Sequence, residues 1–477
     1  MRIRFEPQYS LGILKIEDTS VNPKSRDSFD KLILALLKIY TTDTYKNKLF
    51  KVLEEKILAN KKETGRKGMN LWQIFVLAQV RLALNISYDR LHNEVNNHHS
   101  LRQLLGIETT FDKPRIEWEY QNIVDNVKLL DEATLLKIND IIVEMGHETF
   151  KKKETQPLHL KTDSFVSQTN THFPTDYNLL WDSARKTVDT LIKIINRYNI
   201  LGWRKLKNWK RELKNMSRSI GQSPKKKKEM KKELVGNYVD KAKLFVKKIE
   251  SESKLFQLND IKDLSLQLEL EYYLKMLKKH INLLERRVLK NETIPHEEKI
   301  FSIFEPYTEW INKGKMHPSV EIGKNILVTS DQYHLIISHK IMEKETDSQV
   351  VVEHIDSLLP IYNIQSWSFD KGFYSKDNKE LIELFIPELI MPKKGKLNKK
   401  EYQEEHEKGF KKLRYKHSAI ESNINELEHR GLDKCPDRSY AHFKNYIALG
   451  ICAYNLHKIG TELLRQKQES EKLPKAA

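Results

Sequence analysis

The stretch Trp367-Ser368-Phe369-Asp370-Lys371-Gly372-Phe373-Tyr374-Ser375 decides how the rest of the chain is read. Apolar and polar residues alternate up to Phe369, as in a strand, and the run ends on the Asp370 carboxylate before turning through Gly372. An acid at a strand's end is exposed, and such places carry binding and chemistry more often than packing. A second strand-like run spans Gln156 to Ser167: Leu158, Leu160 and Thr162 alternate with His159, Lys161 and Asp163. A third acid, Glu421, falls on a helix expected from about Glu404 to Arg430. Its apolar stripe is Phe410, Leu413, His417, Ile420, Ile424 and Leu427. Glu421 follows that stripe by one residue, at the margin of a face suited to packing on a sheet.

Around these acids the pattern is mixed. From Ser28 to about Ile107 the apolar residues recur at helical spacing, with Thr64-Gly65-Arg66-Lys67-Gly68 separating two blocks and Ser87 placed to cap a short helix ending near His98-His99. Such helices suit a DNA-reading domain or a plain bundle. After the first strand, Thr175 is placed to cap a helix with inner face Leu180, Ala184, Val188, Leu191 and Ile195. That helix opens an all-helical insertion running to roughly Asn291. It contains Lys225-Lys226-Lys227-Lys228, which fits either a solvated face or a surface that tracks phosphates. Trp203 and Trp209 lie among Arg204, Lys205, Lys207, Lys210 and Arg211, a mixture that suits base stacking or an amphipathic core face.

Strands return at Glu321 to Ser330 and Tyr333 to Met342, a hairpin about Ser330-Asp331-Gln332. A helix through Val350, Val351, Ile355, Leu358 and Leu359 leads into the strand that ends at Asp370. Then come a helix capped by Ser375 with Leu381, Ile382 and Phe385 inward, a short strand from Ile386 to Met391, the Glu421 helix, and a closing helix from Ser439 to about Leu464. The alternation specifies an α/β layer architecture, an antiparallel hairpin joined to a partly parallel sheet.

At 477 residues the chain is long enough for two or three domains. Its 83 Lys+Arg against 66 Asp+Glu give a formal charge of +17, spread along the sequence, which favours a polyanionic partner. Cys435 and Cys452 are the only cysteines, too few for a disulfide framework or a cysteine zinc site, and they imply a reducing, cytoplasmic compartment. Met1 to Pro7 lacks the apolar stretch of a secretory signal, and the longest apolar run, Ile447 to Tyr454, is too short to span a bilayer. No membrane role is expected. A GxxxxGKS/T phosphate loop is absent, which argues against ATP-driven chemistry. His98-His99 has no further ligand at metal-binding spacing.

Three carboxylates from two strand ends and a sheet-packed helix are a donor set for hard divalent cations. Two such ions about 3.5–4 Å apart activate an attacking hydroxyl and stabilise the leaving oxygen of a displacement at phosphorus. The strand order, with one acid on the first strand, one at the end of the fourth and one on the following helix, is ribonuclease-H-like.

Three segments resemble the DDE transposases of bacterial insertion sequences. Thr162-Asp163-Ser164, with Asn170, His172, Pro174-Thr175-Asp176, Leu179-Leu180, Asp182 and Arg185, is similar to that family's first-Asp block. Asp370-Lys371-Gly372-Phe373-Tyr374-Ser375 is similar to its second, and Ile420-Glu421-Ser422 with Gly431-Leu432, Cys435 and the Asn445 to Leu456 helix to its Glu block. Ser302 to Glu305 and Lys313-Gly314-Lys315 leading into Glu321-Ile322-Gly323 are also family-like.

The resemblance implies a ribonuclease-H-like mixed sheet with flanking helices, an all-helical N-terminal domain, and Asp163, Asp370 and Glu421 as catalytic and metal-binding residues. It implies two Mg²⁺ ions, replaceable by Mn²⁺, cleavage of double-stranded DNA at terminal inverted repeats, and attack of the freed 3′-hydroxyl on target DNA. A homodimer or larger synaptic complex and a bacterial, nucleoid-associated location in the cytoplasm follow from the same resemblance. Relatives carry Tyr, Arg and Lys at fixed offsets about the Glu, where this chain has Arg414, His417 and Glu428. Arg414, Lys416 and Arg430 are therefore the candidate phosphate contacts, with Lys371, Trp203 and Lys205 as further DNA-binding candidates.

The expected organisation is a helical DNA-binding or dimerisation domain over 1–150, the first catalytic strand in 151–172, the insertion over 173–295, the rest of the catalytic domain over 296–464, and a polar tail at 465–477. The open alternatives are a nuclease of the same fold that only hydrolyses, and a catalytically inactive DNA-binding protein or repressor.

Overall fold

The computed structural model describes residues 2–5, 12–59, 68–109, 115–224, 226–252, 263–312 and 319–472. Thr64 to Lys67, Lys225, Lys313-Gly314-Lys315 and the end of the polar tail, all interpreted above, lie outside the described residues. The chain divides into two compact units, one made of Met1–Asn170 with Ile311–Ala477, the other of Thr171–Trp310.

Among the described residues of the first unit, seven helices precede the first strand: α1 (Ser28–Thr41), α2 (Asp43–Ile57), α3 (Leu71–Ala83), α4 (Tyr88–Asn97), α5 (His99–Leu104), α6 (Tyr120–Val127) and α7 (Glu132–Thr149). Five of these starts carry a side-chain cap, and those of α2 and α6 do not. The Ser87 side chain accepts from the Arg90 amide at the head of α4, and Asn70 with Gln73 forms a capping box on α3. His98 caps α5 through its ring. Strand β1 (Leu158–Gln168) follows.

The second unit is helical: α8 (Asp176–Tyr198), capped by Thr175, then α9 (Leu206–Gln222), α10 (Lys228–Ser251) and α11 (Leu264–Leu284). Their apolar faces share one core that includes Leu180, Leu191, Leu213, Tyr238, Phe245 and Leu277. Strand β2 (Glu309–Asn312), which the sequence pattern did not suggest, carries the chain back into the first unit.

There the chain forms β3 (Val320–Ser330), β4 (Ile336–Ile341), α12 (Asp347–Leu358), β5 (Ile364–Phe369), α13 (Lys376–Ile382), β6 (Glu388–Ile390), α14 (Lys399–His406), α15 (Lys408–Leu427) and α16 (Tyr440–Lys472). The six-stranded sheet is mixed. β3 pairs antiparallel with β1 on one side and β4 on the other, while β1 pairs parallel with β5 and β5 with β6. Without β2 the order is β4-β3-β1-β5-β6, the ribonuclease-H-like arrangement expected from the alternation of elements.

The two faces of the sheet differ because strand side chains alternate. Leu158 and Leu160 of β1 with Trp367 and Phe369 of β5 pack with Val350, Val351 and Ile355 of α12. The opposite face, carrying Lys161 and Ser368, is covered by α15, which packs on β1, β5 and β6. Helix α16 joins the N-terminal helices to this layer. It packs on α1, α3, α7 and β4, and the buried Asn455 carboxamide accepts from the Ile336 amide and donates to the Ile336 carbonyl and to Asn139 of α7, each at 2.8 Å. The N-terminal helices therefore share a core with the sheet instead of forming a separate body.

Two local expectations are corrected. On α13 only Ile382 is buried, while Leu381 and Phe385 are exposed, because the helix is a short one whose far side meets solvent. The single helix expected from Glu404 breaks at Glu407, whose backbone is extended (φ −60°, ψ 144°). The break is held from the α14 side by Glu401, which pairs with Lys393 at 2.7 Å, and by Glu405, which accepts from the Lys393 amide at 2.8 Å.

Candidate functional site

In the parallel pair of β1 and β5, Thr162 lies opposite Phe369. The next residue on each strand is an acid, Asp163 and Asp370, so the register carries both carboxylates to neighbouring strands about 4.8 Å apart. Asp370 is exposed, at the point where β5 ends and a single turn, Lys371–Phe373, begins. Asp163 is half-buried in β1 and accepts from the Ser164 amide at 2.7 Å. Glu421 is exposed on α15, one turn beyond His417, on the helix that covers this face of the sheet.

Burial first, and with it the negative charges of Asp370, Asp347 and Glu421, raise the Asp163 carboxyl to about 7 against the opposing pull of the Ser164 amide. Asp370 and Glu421, both singled out from the sequence, thus act electrostatically on Asp163. The fourth, Asp347, was not anticipated. It opens α12 and accepts from the Ser164 hydroxyl at 2.8 Å. A Cβ at Gly372 would stand 2.8 Å from its Oδ2, so the glycine beyond Asp370 makes room for this carboxylate. In the sequence Asp347 is hidden as an ordinary first-turn acid, inside the capping box of Thr346 and Gln349.

Beneath the acids runs a buried chain of hydrogen bonds whose polarity is fixed at one end. The Trp367 indole N–H can only donate, and does so to Thr162 Oγ1 at 2.8 Å. The Thr162 hydroxyl is then free to donate to Thr329 Oγ1 at 2.6 Å, and Thr329 to His354 Nε2 at 2.6 Å. Burial holds the His354 ring down to about 4, so it is neutral near pH 7. The chain links β5, β1, β3 and α12, three of which bear Asp370, Asp163 and Asp347.

On the other face, His417 meets Ser368 Oγ through Nδ1 at 3.0 Å, and burial lowers its pKa to about 4 despite the opposing pull of Asp370. His417 presents a neutral ring, not a cation, one turn from Glu421.

The donor set suits a hard divalent cation, since every donor is a carboxylate oxygen and a cation would relieve the crowding that raises Asp163. Among the described residues no three His, Cys, Asp or Glu side chains already converge into a metal-holding group. Mg²⁺ keeps several waters and takes one or two carboxylates at a time, so acids that do not converge on a closed cage still fit it.

The candidate DNA contacts fall in different surroundings. Lys371 is exposed beside Asp370, and Lys416 is exposed on α15. Arg414 pairs with Glu405 at 3.6 Å. Arg430 donates to the Ala83 carbonyl at 2.6 Å and pairs with Glu426, so its guanidinium is occupied in tying α15 to the N-terminal helices. In the second unit, Lys205 is exposed before α9, whereas Trp203 is 5% exposed within the helical core and donates to Glu252 at 2.7 Å. A buried indole offers no open face for a base. Trp209 likewise packs on Phe245. Both cysteines are buried and neither forms a disulfide, and no helix among the described residues is long and apolar enough to cross a membrane.

Residues 293–456 match the family described as transposase DDE domain. The match includes Asp347, Asp370 and Glu421 and begins after Asp163. No curated protein and no solved structure matches the chain.

Proposed function

We propose that this chain, whose residues 293–456 match the transposase DDE domain family, is a DNA transposase that cuts double-stranded DNA at terminal inverted repeats and joins the freed 3′ end to a target. The observation that carries the reading is the register of β1 on β5. It sets Asp163, outside the matched region, directly beside Asp370 within it, under the helix that bears Glu421. Asp163, Asp370 and Glu421 would hold the two Mg²⁺ or Mn²⁺ ions, which would supply activation of the attacking hydroxyl and stabilisation of the leaving oxygen.

The chain's own residues prepare that chemistry. Asp163, protonated more readily than an ordinary carboxyl, is the acid that would have to release a proton for a cation to be held there. Asp347, held by Ser164, fixes the end of β1 relative to α12. His417, neutral and bonded to Ser368, spaces α15 from the sheet without adding a charge that competes with the cations. Lys371, Arg414 and Lys416 neutralise strand phosphates at the open side of the site. Two ends must be brought together, so a dimer or larger assembly in the cytoplasm is the working form.

The test uses purified full-length protein, DNA carrying both borders of the element, and Mg²⁺ or Mn²⁺. Wild type yields cleaved ends and joined target strands. Asp370→Asn and Asp163→Asn yield neither, and persistence of cleavage in Asp370→Asn overturns the assignment. Cleaved ends without any joined strand identify a nuclease that only hydrolyses.

A further inference from the structure

A cavity of about 320 Å³ opens between α15 and the sheet, lined among others by His159, Lys161, Ser366, Ser368, Lys416 and Ser422. We propose that it is a phosphate-binding pocket, with Lys161 at its floor and Lys416 at its mouth, lying beside the acidic centre. No carboxylate is among its lining residues. Lys161 is 8% exposed, and its ammonium donates to the Asp331 main-chain carbonyl at 3.3 Å. Of three N–H donors that bond uses one. Among the described residues neither Lys161 nor Lys416 has an ion-pair partner, although each is close enough to repel the other. The buried Asp331 carboxylate acts on Lys161 through its charge but makes its hydrogen bonds to His147 at 2.7 Å and to the amides of Tyr333 and Leu335 at 2.8 and 3.0 Å.

The buried Lys161 ammonium, repelled by Lys416 and only partly offset by the charge of Asp331, would be relieved by an anion joining the two lysines. Beside apolar residues such as Leu160, Ile390 and Leu413, the other polar lining groups are serine hydroxyls, two imidazoles and the Gln332 carboxamide, all able to donate to oxygen. Ser366 is bonded to His159 at 2.8 Å and Ser368 to His417 at 3.0 Å, which holds both hydroxyls in place on the pocket side of β5. A multiply charged oxyanion with several acceptor oxygens matches this set better than a carboxylate with two.

The position of the pocket suggests where the phosphate comes from. Lys161 and Asp163 are two residues apart on one face of β1, about 7 Å along the strand. That is comparable with one sugar–phosphate repeat of a nucleic acid strand. A strand with its reacting phosphate at the acids would thus place a neighbouring phosphate at Lys161 and Lys416. This source rests on the proposed function; the pocket itself does not.

The pocket is tested on full-length protein, with inorganic pyrophosphate as the probe, by calorimetric titration in EDTA. Lys161→Met keeps the stem and removes the charge. Lys416→Met tests the mouth from the surface, and Ala419→Trp fills the space without touching a lysine, which covers the case that Lys161→Met fails to fold. Wild type is expected to bind, and each variant to bind about tenfold or more weakly with its melting temperature kept. Absence of binding to wild type, or unchanged binding in folded Lys161→Met and Ala419→Trp, overturns the proposal.

A second arm distinguishes the sources. The salt dependence of binding to a duplex with a single-stranded 3′ extension is measured for wild type and the double lysine variant. A slope shallower by about 0.7–0.9 per lysine assigns the pocket to a strand phosphate. An unchanged slope, with pyrophosphate binding lost, keeps the pocket and assigns it to a free phosphate compound. Because the titration contains no divalent metal and reads no cleavage, its result stands apart from the Asp370→Asn test.

Discussion

Asp163 offers a direct measurement of the field in the acidic centre, because its pKa is raised from 3.8 to about 7 by burial first and by its acidic neighbours second. Between about pH 4 and 7 the folded chain retains a proton that the unfolded chain has released, so stability falls as pH rises through that window and levels off above it. A shift of about three units corresponds to about 4 kcal/mol as an upper limit, and about 2 kcal/mol after solvent screening of a half-buried group. Asp163→Asn keeps the shape and the acceptor for the Ser164 amide but removes the titration. In urea melts in EDTA, the variant and wild type should agree near pH 4.5, and the variant should be more stable by about 2–4 kcal/mol at pH 8. Adding Mn²⁺ at pH 8 to a hundred times its dissociation constant should restore about 2.7 kcal/mol to wild type and nothing comparable to the variant. Parallel pH curves for the two proteins would refute the crowding of acids around Asp163, and with it the fit of a cation to this site.

Other perturbations test the frame that holds the site. Thr162→Val leaves the Trp367 indole N–H and the Thr329 hydroxyl short of a partner and should cost about 1–3 kcal/mol in urea melts; combined with Thr329→Val the cost should be less than additive, since both belong to one chain of hydrogen bonds. Asn455→Leu removes three bonds at 2.8 Å between α16, α7 and β4 and should lower stability by about 2–5 kcal/mol, with hydrogen exchange fastest at Ile336. Gly460→Ala places a Cβ 1.8 Å from the Lys31 carbonyl of α1, so thermal melts should show a loss of about 1–3 kcal/mol even though alanine is the better helix former.

What the sequence made legible follows from the range of the forces involved. Alternation at Leu158 to Asp163 and at Trp367 to Asp370 is local, and both strands are where the pattern places them. Caps at Ser87, Thr175 and Ser375 are equally local and hold. The break at Glu407 was not legible, since neither glycine nor proline stands there and the cause is a pair of contacts from Lys393 that only the fold supplies. Asp347 escaped notice for a related reason: a first-turn acid in a capping box is explained by its own helix, and nothing nearby in sequence announces Ser164 or Gly372. Lys161 shows the same limit from the other side. The alternation puts it on one face with Asp163, but strand spacing does not say what covers that face. Only once α15 lies over it does a lysine in a strand become a buried cation in a cavity without an acid, and the row from His159 through Lys161 to Asp163 acquires a direction, from the cationic pocket toward the acids.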